Sequence, residues 1–496
     1  MSKTPPQIFM PFIRLNKRDG APLYLQLYEQ IKQAIFNGQL KDGERMPSTR
    51  ILSAELSVSR NSVFQAYEQL MVEGFLQGRK GDGTYVCVQM SKAPHRAFKA
   101  AVPVKAPVKT EGVKYRDKAL SSDILKRDCV KEPWLPFQIC VPDVQHFPFR
   151  IWARIAAGIY RNIHSLHLGY GDTQGHLPLR QALADYLRIN RSIVCTPEQI
   201  LIVNGSRQAI NLAAQMLLKK GDQCWMEDPG YQAARGAITR WGGTLCPVPL
   251  NQYGLDINYA IKRYPDAKFA YVTPSHQYPL GGTLPLGERL KLLQWAGKQG
   301  MWLVEDDYDS EFRYNGRPVP ALKGLDDQGR VIYTGTFSKV LFPALRLGYM
   351  VLPSAEMAQQ FKIVKSTIDR QNPVIDQAIV AQFMQEGHFA RHLRRMRTLY
   401  KKQQDETLSL LEKHLGDYLE LDACDTGMHM VAWLRKPCNL PLLVEQADAQ
   451  GIVIQSVADY CIRFKQKDAL MLGFTAFKPE DAEKAAIQLK KLFAQQ

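Results

Sequence analysis

No stretch of this chain is long and apolar enough to cross a membrane. The 496 residues never sustain the run of about 20 apolar side chains that a spanning helix needs. Met1 to Gln7 lacks the apolar centre of a secretory signal. Paired cysteines are missing too. The nine cysteines are odd in number and scattered, with no Cys-x-x-Cys. That argues against a disulfide framework and a cysteine-held zinc, so no metal is expected, and it fits reduced thiols in a cytoplasm. Negative charge is scarce at one end. Residues 1–118 hold 19 Lys/Arg against 10 Asp/Glu, and the other 378 residues supply only seven of the net +16. A basic N-terminal quarter suits a nucleic-acid partner. At this length two or three domains with ample core are expected.

What is present begins with a helical period. Tyr24, Leu27, Tyr28, Ile31 and Ile35 place one apolar face on a first helix. Gly38 and Lys41-Asp42-Gly43 end it. Pro47-Ser48 opens a second helix, with Ser48 as N-cap and Ile51, Leu52 and Leu56 as its apolar face. Val58-Ser59-Arg60 breaks the chain before a third helix. That helix turns Val63, Tyr67, Leu70 and Met71 to the core and presents Arg60, Asn61, Ser62 and Gln65 on its other side. Short strands near Phe75–Gln77 and Thr84–Val88 flank a glycine-rich tip, Arg79-Lys80-Gly81-Asp82-Gly83. The pattern is a winged helix-turn-helix, an α+β DNA reader. Its third helix is shaped for the major groove, and Lys80 and the backbone of the tip for phosphate.

The motifs Pro47-Ser48-Thr49-Arg50, Ser57 to Val63, Ala66-Tyr67-Glu68-Gln69-Leu70 and Gly81 to Val86 resemble the GntR family of bacterial transcription regulators. The resemblance implies that Arg50 and Arg60 contact DNA and that the wing glycine, Gly83, enters the minor groove. A domain of residues 1–88 is expected. Residues 89–135 carry four prolines, many lysines and no apolar period, the composition of an extended basic linker.

From residue 136 to 496, strand-like runs alternate with helices. The strands are Ile200–Val203, Gln223–Glu227, Thr244–Val248, Phe269–Thr273, Met301–Glu305, Val331–Tyr333 and Leu347–Leu352. An α/β domain with a mostly parallel sheet is expected, with ligands outside the carboxyl ends of the strands. Polar motifs follow those strands. Asn204-Gly205-Ser206-Arg207 opens a helix and forms a phosphate seat. Asp228-Pro229-Gly230-Tyr231 offers a ring for stacking. Glu305-Asp306-Asp307-Tyr308 offers a carboxylate for a protonated ring nitrogen and a hydroxyl beyond it. In Thr336-Phe337-Ser338-Lys339, the lysine is a nucleophile toward a carbonyl, with hydroxyls and Arg346 placed to hold phosphate. A lysine beside a phosphate seat suggests pyridoxal 5'-phosphate (PLP) held as a Schiff base.

Together these motifs look like fold-type I PLP enzymes of the aspartate aminotransferase superfamily. The resemblance implies that Lys339, the catalytic residue, holds the cofactor's aldehyde. It assigns the ring nitrogen to Asp306, the ring hydroxyl to Tyr308, stacking to Tyr231, and the phosphate to Ser206, Arg207, Ser338 and Arg346. Tyr170, in Tyr170-Gly171-Asp172-Thr173-Gln174-Gly175, resembles a tyrosine that reaches the neighbouring subunit's phosphate, which implies a head-to-tail homodimer. A winged helix joined by a linker to this fold is similar to the MocR subfamily of GntR regulators. Thr273 to Pro279 and the run Glu305 to Tyr314 fit that subfamily.

Tyr278 occupies the place where working aminotransferases carry an asparagine, and Met471 the place of the arginine that clamps a substrate carboxylate, with Arg463 as a substitute. A thioether cannot replace a bidentate cation, so weak or no transaminase activity is expected. The leading expectation is a cytoplasmic regulator that binds promoter DNA at paired half-sites and senses PLP or an amino compound through Lys339. The alternatives are a competent aminotransferase with a DNA-binding appendage, and an architectural DNA binder whose second domain only dimerises.

Overall fold

The computed structural model describes residues 10, 12–16, 21–79, 82–87, 135–163, 168–315, 319–421 and 423–496. The chain divides into two compact units, Met1–Lys114 and Tyr115–Gln496. Lys80, Gly81 and residues 88–134, which hold almost all of the expected linker, lie outside the described residues. No helix among the described residues is long and apolar enough to span a membrane. Nor does any described group of His, Cys, Asp and Glu side chains have the clustering of a metal site.

The first unit is three helices and a hairpin. Helix α1 (Leu23–Phe36) buries Leu27, Tyr28, Ile31, Ala34 and Ile35. Helix α2 (Thr49–Glu55) starts where the Ser48 hydroxyl accepts from Ile51 N. Helix α3 (Arg60–Val72) starts where the Ser59 hydroxyl accepts from Ser62 N. The Ser48 cap is the expected one, and Ser59 is a second serine cap that the expected break had hidden. Tyr67 donates from α3 to the Pro47 carbonyl at 3.0 Å, which fixes α3 against the entry to α2. Strands β1 (Leu76–Arg79) and β2 (Gly83–Val86) pair antiparallel, Leu76 opposite Val86 and Arg79 opposite Gly83. Two expectations are corrected. Arg60 is already the first helical residue of α3, because the cap is Ser59. Ile51 is 53 % exposed, because two-turn α2 buries only Leu52.

The second unit is built on an eight-stranded sheet of order β3-β10-β9-β8-β7-β4-β5-β6. Its strands are β3 (Ile200–Val203), β4 (Gln223–Asp228), β5 (Thr244–Asn251), β6 (Gly254–Leu255), β7 (Phe269–Val272), β8 (Trp302–Asp307), β9 (Val331–Thr336) and β10 (Gly348–Val351). Strands β9, β8, β7, β4 and β5 run parallel. Strand β10 is antiparallel to both β9 and β3. Apolar continuity in β3 and β10 follows from burial on both faces. A smaller antiparallel sheet orders β11 (Leu419–Leu421), β12 (His429–Leu434), β14 (Ala469–Gly473) and β13 (Gln455–Ser456) as β11-β12-β14-β13. The carboxyl ends of β3, β4, β7, β8 and β9 share one edge of the large sheet, and the polar motifs lie there.

Candidate functional site

A cavity of about 510 Å³ opens at that edge. Its walls bring together eight of the expected cofactor residues: Ser206, Arg207, Tyr231, Asp306, Tyr308, Ser338, Lys339 and Arg346. Seven arrive from the carboxyl ends of β3, β4, β8 and β9, which point the same way, and Arg346 comes from just before the start of antiparallel β10. Lys339 sits in the short helix Phe337–Val340 after β9, and its Nζ donates to the Cys140 carbonyl at 2.7 Å. Gly205, at φ +100°, caps the helix Ser206–Leu217. A non-glycine residue would be strained in that conformation, and it aims the first amides of the helix at the cavity. Arg346 donates to the Asn204 carbonyl at 3.0 Å on the same side. Ser338 Oγ is buried with no partner, an anomaly for a hydroxyl unless a ligand oxygen completes it.

The three consecutive carboxylates of β8 have different neighbours. Glu305 accepts from Leu322 N and Lys323 N, each at 2.8 Å. Asp307 pairs with Arg191 at 2.5 Å and accepts from Tyr333 Oη at 2.7 Å. Asp306 is 4 % exposed and faces the cavity. It accepts from Tyr271 Oη at 2.8 Å and Thr334 Oγ1 at 3.0 Å and has no cation among the described residues. Desolvation pushes its pKa up to about 6 despite those two donors. Burial likewise pushes Glu227 up to about 7.

Aromatic side chains close the cavity. Tyr231 lies nearly parallel to Tyr271, with centroids 6.3 Å apart, and Arg207 Nε donates to the Tyr231 hydroxyl at 3.2 Å. The Tyr308 hydroxyl lies 2.9 Å from His276 Nδ1, which is also 2.8 Å from Asp309. Tyr278 donates to Tyr460 at 3.1 Å. Burial raises the pKa of Tyr271, Tyr278 and Tyr308 well above the usual phenol range.

These residues suit PLP. The donor set at Gly205–Arg207, Ser338 and Arg346 fits a phosphate. The uncompensated Asp306 fits a protonated ring nitrogen, and Lys339 fits an aldehyde.

Other expected residues are placed elsewhere. Tyr170 is 80 % exposed, lies outside this cavity, and holds its ring 3.8 Å beneath the Arg370 guanidinium. Met471 is fully buried in β14. Arg463 does not line the cavity; its backbone N donates to Asp228. In the first unit, Arg50, Arg60, Asn61 and Gly83 are exposed, and Arg60 Nε reaches Thr49 Oγ1 at 3.4 Å. The Ser62 hydroxyl lies 2.8 Å from Ser59 Oγ, turned into the cap. Lys80 is outside the described residues. The sequence reading missed Tyr271, Thr334, Cys140, His276, Asp309 and Tyr460. Of these, His276 and Asp309 lie inside the runs Thr273 to Pro279 and Glu305 to Tyr314 already singled out.

Comparison with known proteins supplies the context. Residues 144–463 match the model of the aminotransferase class I and II family, and residues 23–86 that of bacterial regulatory proteins of the gntR family. A probable rhizopine catabolism regulatory protein, MocR, of Rhizobium meliloti is 36 % identical over 482 residues, covering 97 % of this chain and 95 % of that one. The pyridoxine biosynthesis transcriptional regulator PdxR of Corynebacterium glutamicum is 31 % identical over 467 residues, covering 93 % and 94 %. Among solved structures, Pyrococcus horikoshii kynurenine aminotransferase in complex with PMP superposes with a TM-score of 0.70 at 26 % identity, covering 78 % of this chain and 98 % of that one.

Proposed function

Because the chain belongs to the MocR subfamily of gntR-type transcription regulators, we propose that it is a PLP-dependent regulator whose aminotransferase-like unit senses PLP or an amino compound at Lys339. The observation that carries this is Asp306: a buried carboxylate without a cation, facing a cavity that also holds Lys339 and the unpartnered Ser338 hydroxyl. Bound PLP supplies an aldehyde that condenses reversibly with amines and an electron-withdrawing ring. This chain's residues position and tune it. Asp306 keeps the ring nitrogen protonated, with Tyr271 and Thr334 fixing the carboxylate. Tyr308 donates toward the ring oxygen, oriented by His276 and Asp309. Tyr231 covers one face of the ring. Ser206, Arg207, Ser338 and Arg346 hold the phosphate, joined by Tyr170 of a second copy in a head-to-tail homodimer. Residues 1–88 read DNA through Arg50, Arg60, Asn61, Lys80 and Gly83, residues 89–135 act as a tether, and two readers per dimer engage paired half-sites.

Regulation rather than turnover is favoured by the place of the carboxylate clamp. Met471 lies sealed in the small sheet, and Tyr278 is engaged with Tyr460. Losing one charge-assisted contact costs about 1.5–3 kcal/mol, a rate loss of about tenfold to a hundredfold. With no clamp for an α-carboxylate, PLP itself is favoured as the signal, as the name of the pyridoxine-biosynthesis relative suggests. The second reading, a working aminotransferase with a DNA-binding unit, draws on the structural likeness to kynurenine aminotransferase. Conversion of amino donors to oxo acids at ordinary enzyme rates would establish it.

The test is binding of the purified protein to the DNA upstream of its own gene, with and without PLP, for the parent and Lys339→Ala. The expected result is a PLP-dependent affinity or footprint in the parent and PLP-independent specific binding in Lys339→Ala. Unchanged PLP control in that variant refutes the reading.

A further inference from the structure

The run Glu305 to Tyr314 does more than end at the first cavity. After Tyr308 the chain turns, and Ser310, Glu311, Arg313 and Tyr314 line a second cavity of about 590 Å³. It shares no lining residue with the first. Its inner wall is already neutralised: Arg191 pairs with Asp307 at 2.5 Å, and Arg289 lies 3.9 Å from Glu305. Its outer wall is not. Arg313 spends one nitrogen on Thr426 Oγ1 at 3.2 Å. Arg394 and Arg397 stand exposed on successive turns of the helix His388–Leu415, on one face by their three-residue spacing. Arg397 uses only Nε, which donates to the Glu311 carbonyl at 3.0 Å. Arg394 has no ion-pair partner among the described residues.

Three arginines therefore face one carboxylate, Glu311. Burial beside Asp307 pushes its pKa above the usual carboxylate range. Three buried donor atoms on residues of the cavity wall have no acceptor: Arg191 Nε, Arg313 Nε and Ser310 Oγ. The Arg191 side chain is 7 % exposed, so no bulk water compensates its Nε. Folded proteins pair almost all such groups, and a guanidinium fork matches a planar or tetrahedral oxyanion. The volume suits a small molecule.

We propose that this cavity is a second small-molecule site, taking a dianion of the dicarboxylate or phosphate-ester class. Arg394 and Arg397 capture the ligand at the mouth, and Arg313, Arg191 Nε and Ser310 Oγ receive it inside. The inference stands independently of the cofactor reading.

Calorimetric titration of the full-length, PLP-loaded protein tests it, with malonate and inorganic phosphate as separate probes. Loading with PLP keeps phosphate off the first cavity. At least one probe is expected to saturate, and which one does separates the carboxylate from the phosphate source. Arg394→Gln/Arg397→Gln is expected to weaken that probe by about tenfold or more per arginine, with the melting temperature and the visible spectrum of the bound cofactor unchanged. Arg394→Gln alone serves if the pair lowers stability. Malonate affinity in Lys339→Ala is expected to equal the parent's. Absence of binding by both probes, or binding that ignores the arginine substitutions, overturns the proposal. So does a loss of DNA affinity in Arg394→Gln/Arg397→Gln with no anion present, because the basic face would then belong to nucleic acid.

Discussion

Replacing Asp306 by asparagine separates the two states of the first cavity. In the cofactor-free protein the carboxylate is buried with only Tyr271 and Thr334 as donors, and desolvation moves its pKa from 3.8 to about 6. At about 1.4 kcal/mol for each tenfold in proton affinity, the charged form is penalised by about 3 kcal/mol. The sign follows from linkage. Between about pH 4 and pH 6 the folded chain keeps a proton that the unfolded chain releases, so the parent loses stability as pH rises through that window. Asp306→Asn removes the penalty and keeps the shape. Its amide oxygen still accepts from one hydroxyl and its amide nitrogen donates to the other. Cofactor-free Asp306→Asn is therefore expected to gain on the parent by about 1–2 kcal/mol on going from pH 5 to pH 8, because about half of the 3 kcal/mol penalty is already present at pH 5. The assay is urea unfolding of both proteins at the two pH values; contributions from Glu227 and other groups cancel in the difference. PLP affinity moves the opposite way. Loss of a charge-assisted hydrogen bond of about 1.5–3 kcal/mol weakens binding by about tenfold to a hundredfold. A variant equally destabilised at both pH values, or one that binds PLP as tightly as the parent, refutes the reasoning.

Two further outcomes follow from the same structure. Arg60→Gln removes an exposed cation at the start of α3; it should lower the slope of log affinity against log salt by about 0.9, and an unchanged slope by filter binding or anisotropy removes Arg60 from the phosphate contacts. Arg191→Met leaves Asp307 buried without its cation and should cost about 3–5 kcal/mol in urea unfolding. Adding Asp307→Leu should restore most of that, and a single variant as stable as the parent refutes the pairing.

The sequence shows residues that act through a motif and hides residues that act through a neighbour. Val331–Tyr333 reads as a buried strand, and the polar residues after it place Lys339 beyond a strand end, so the nucleophile was visible although the strand itself runs on to Thr336. Tyr271 and Thr334 were not. They flank Asp306 only because β7 and β9 lie on either side of β8 in the order β9-β8-β7-β4, an order that no local period encodes. Cys140 is harder still: its carbonyl meets Lys339 across 199 residues, and a backbone acceptor leaves no mark on composition. In the DNA unit, the Ser48 cap and the core positions were legible because they are local. Ile51 misled because its apolar character was assigned to a face that two-turn α2 does not bury.

The carboxylates of β8 show how one strand serves two cavities. Side chains alternate across a strand, so Asp306 and Asp307 cannot face the same way. A sheet edge that turns Asp306 toward one ligand must send Asp307 to the opposite side, where it needs a cation of its own. Arg191 is that cation; it also lines the second cavity, and its Nε is buried with no acceptor. Beyond the strand the same division continues, with Tyr308 lining the first cavity and Ser310 and Glu311 the second. The acidic run Glu305 to Tyr314 is therefore a partition between two basic cavities. Its charge belongs to both, and a reading that assigns the motif to PLP alone leaves half of its residues without a task.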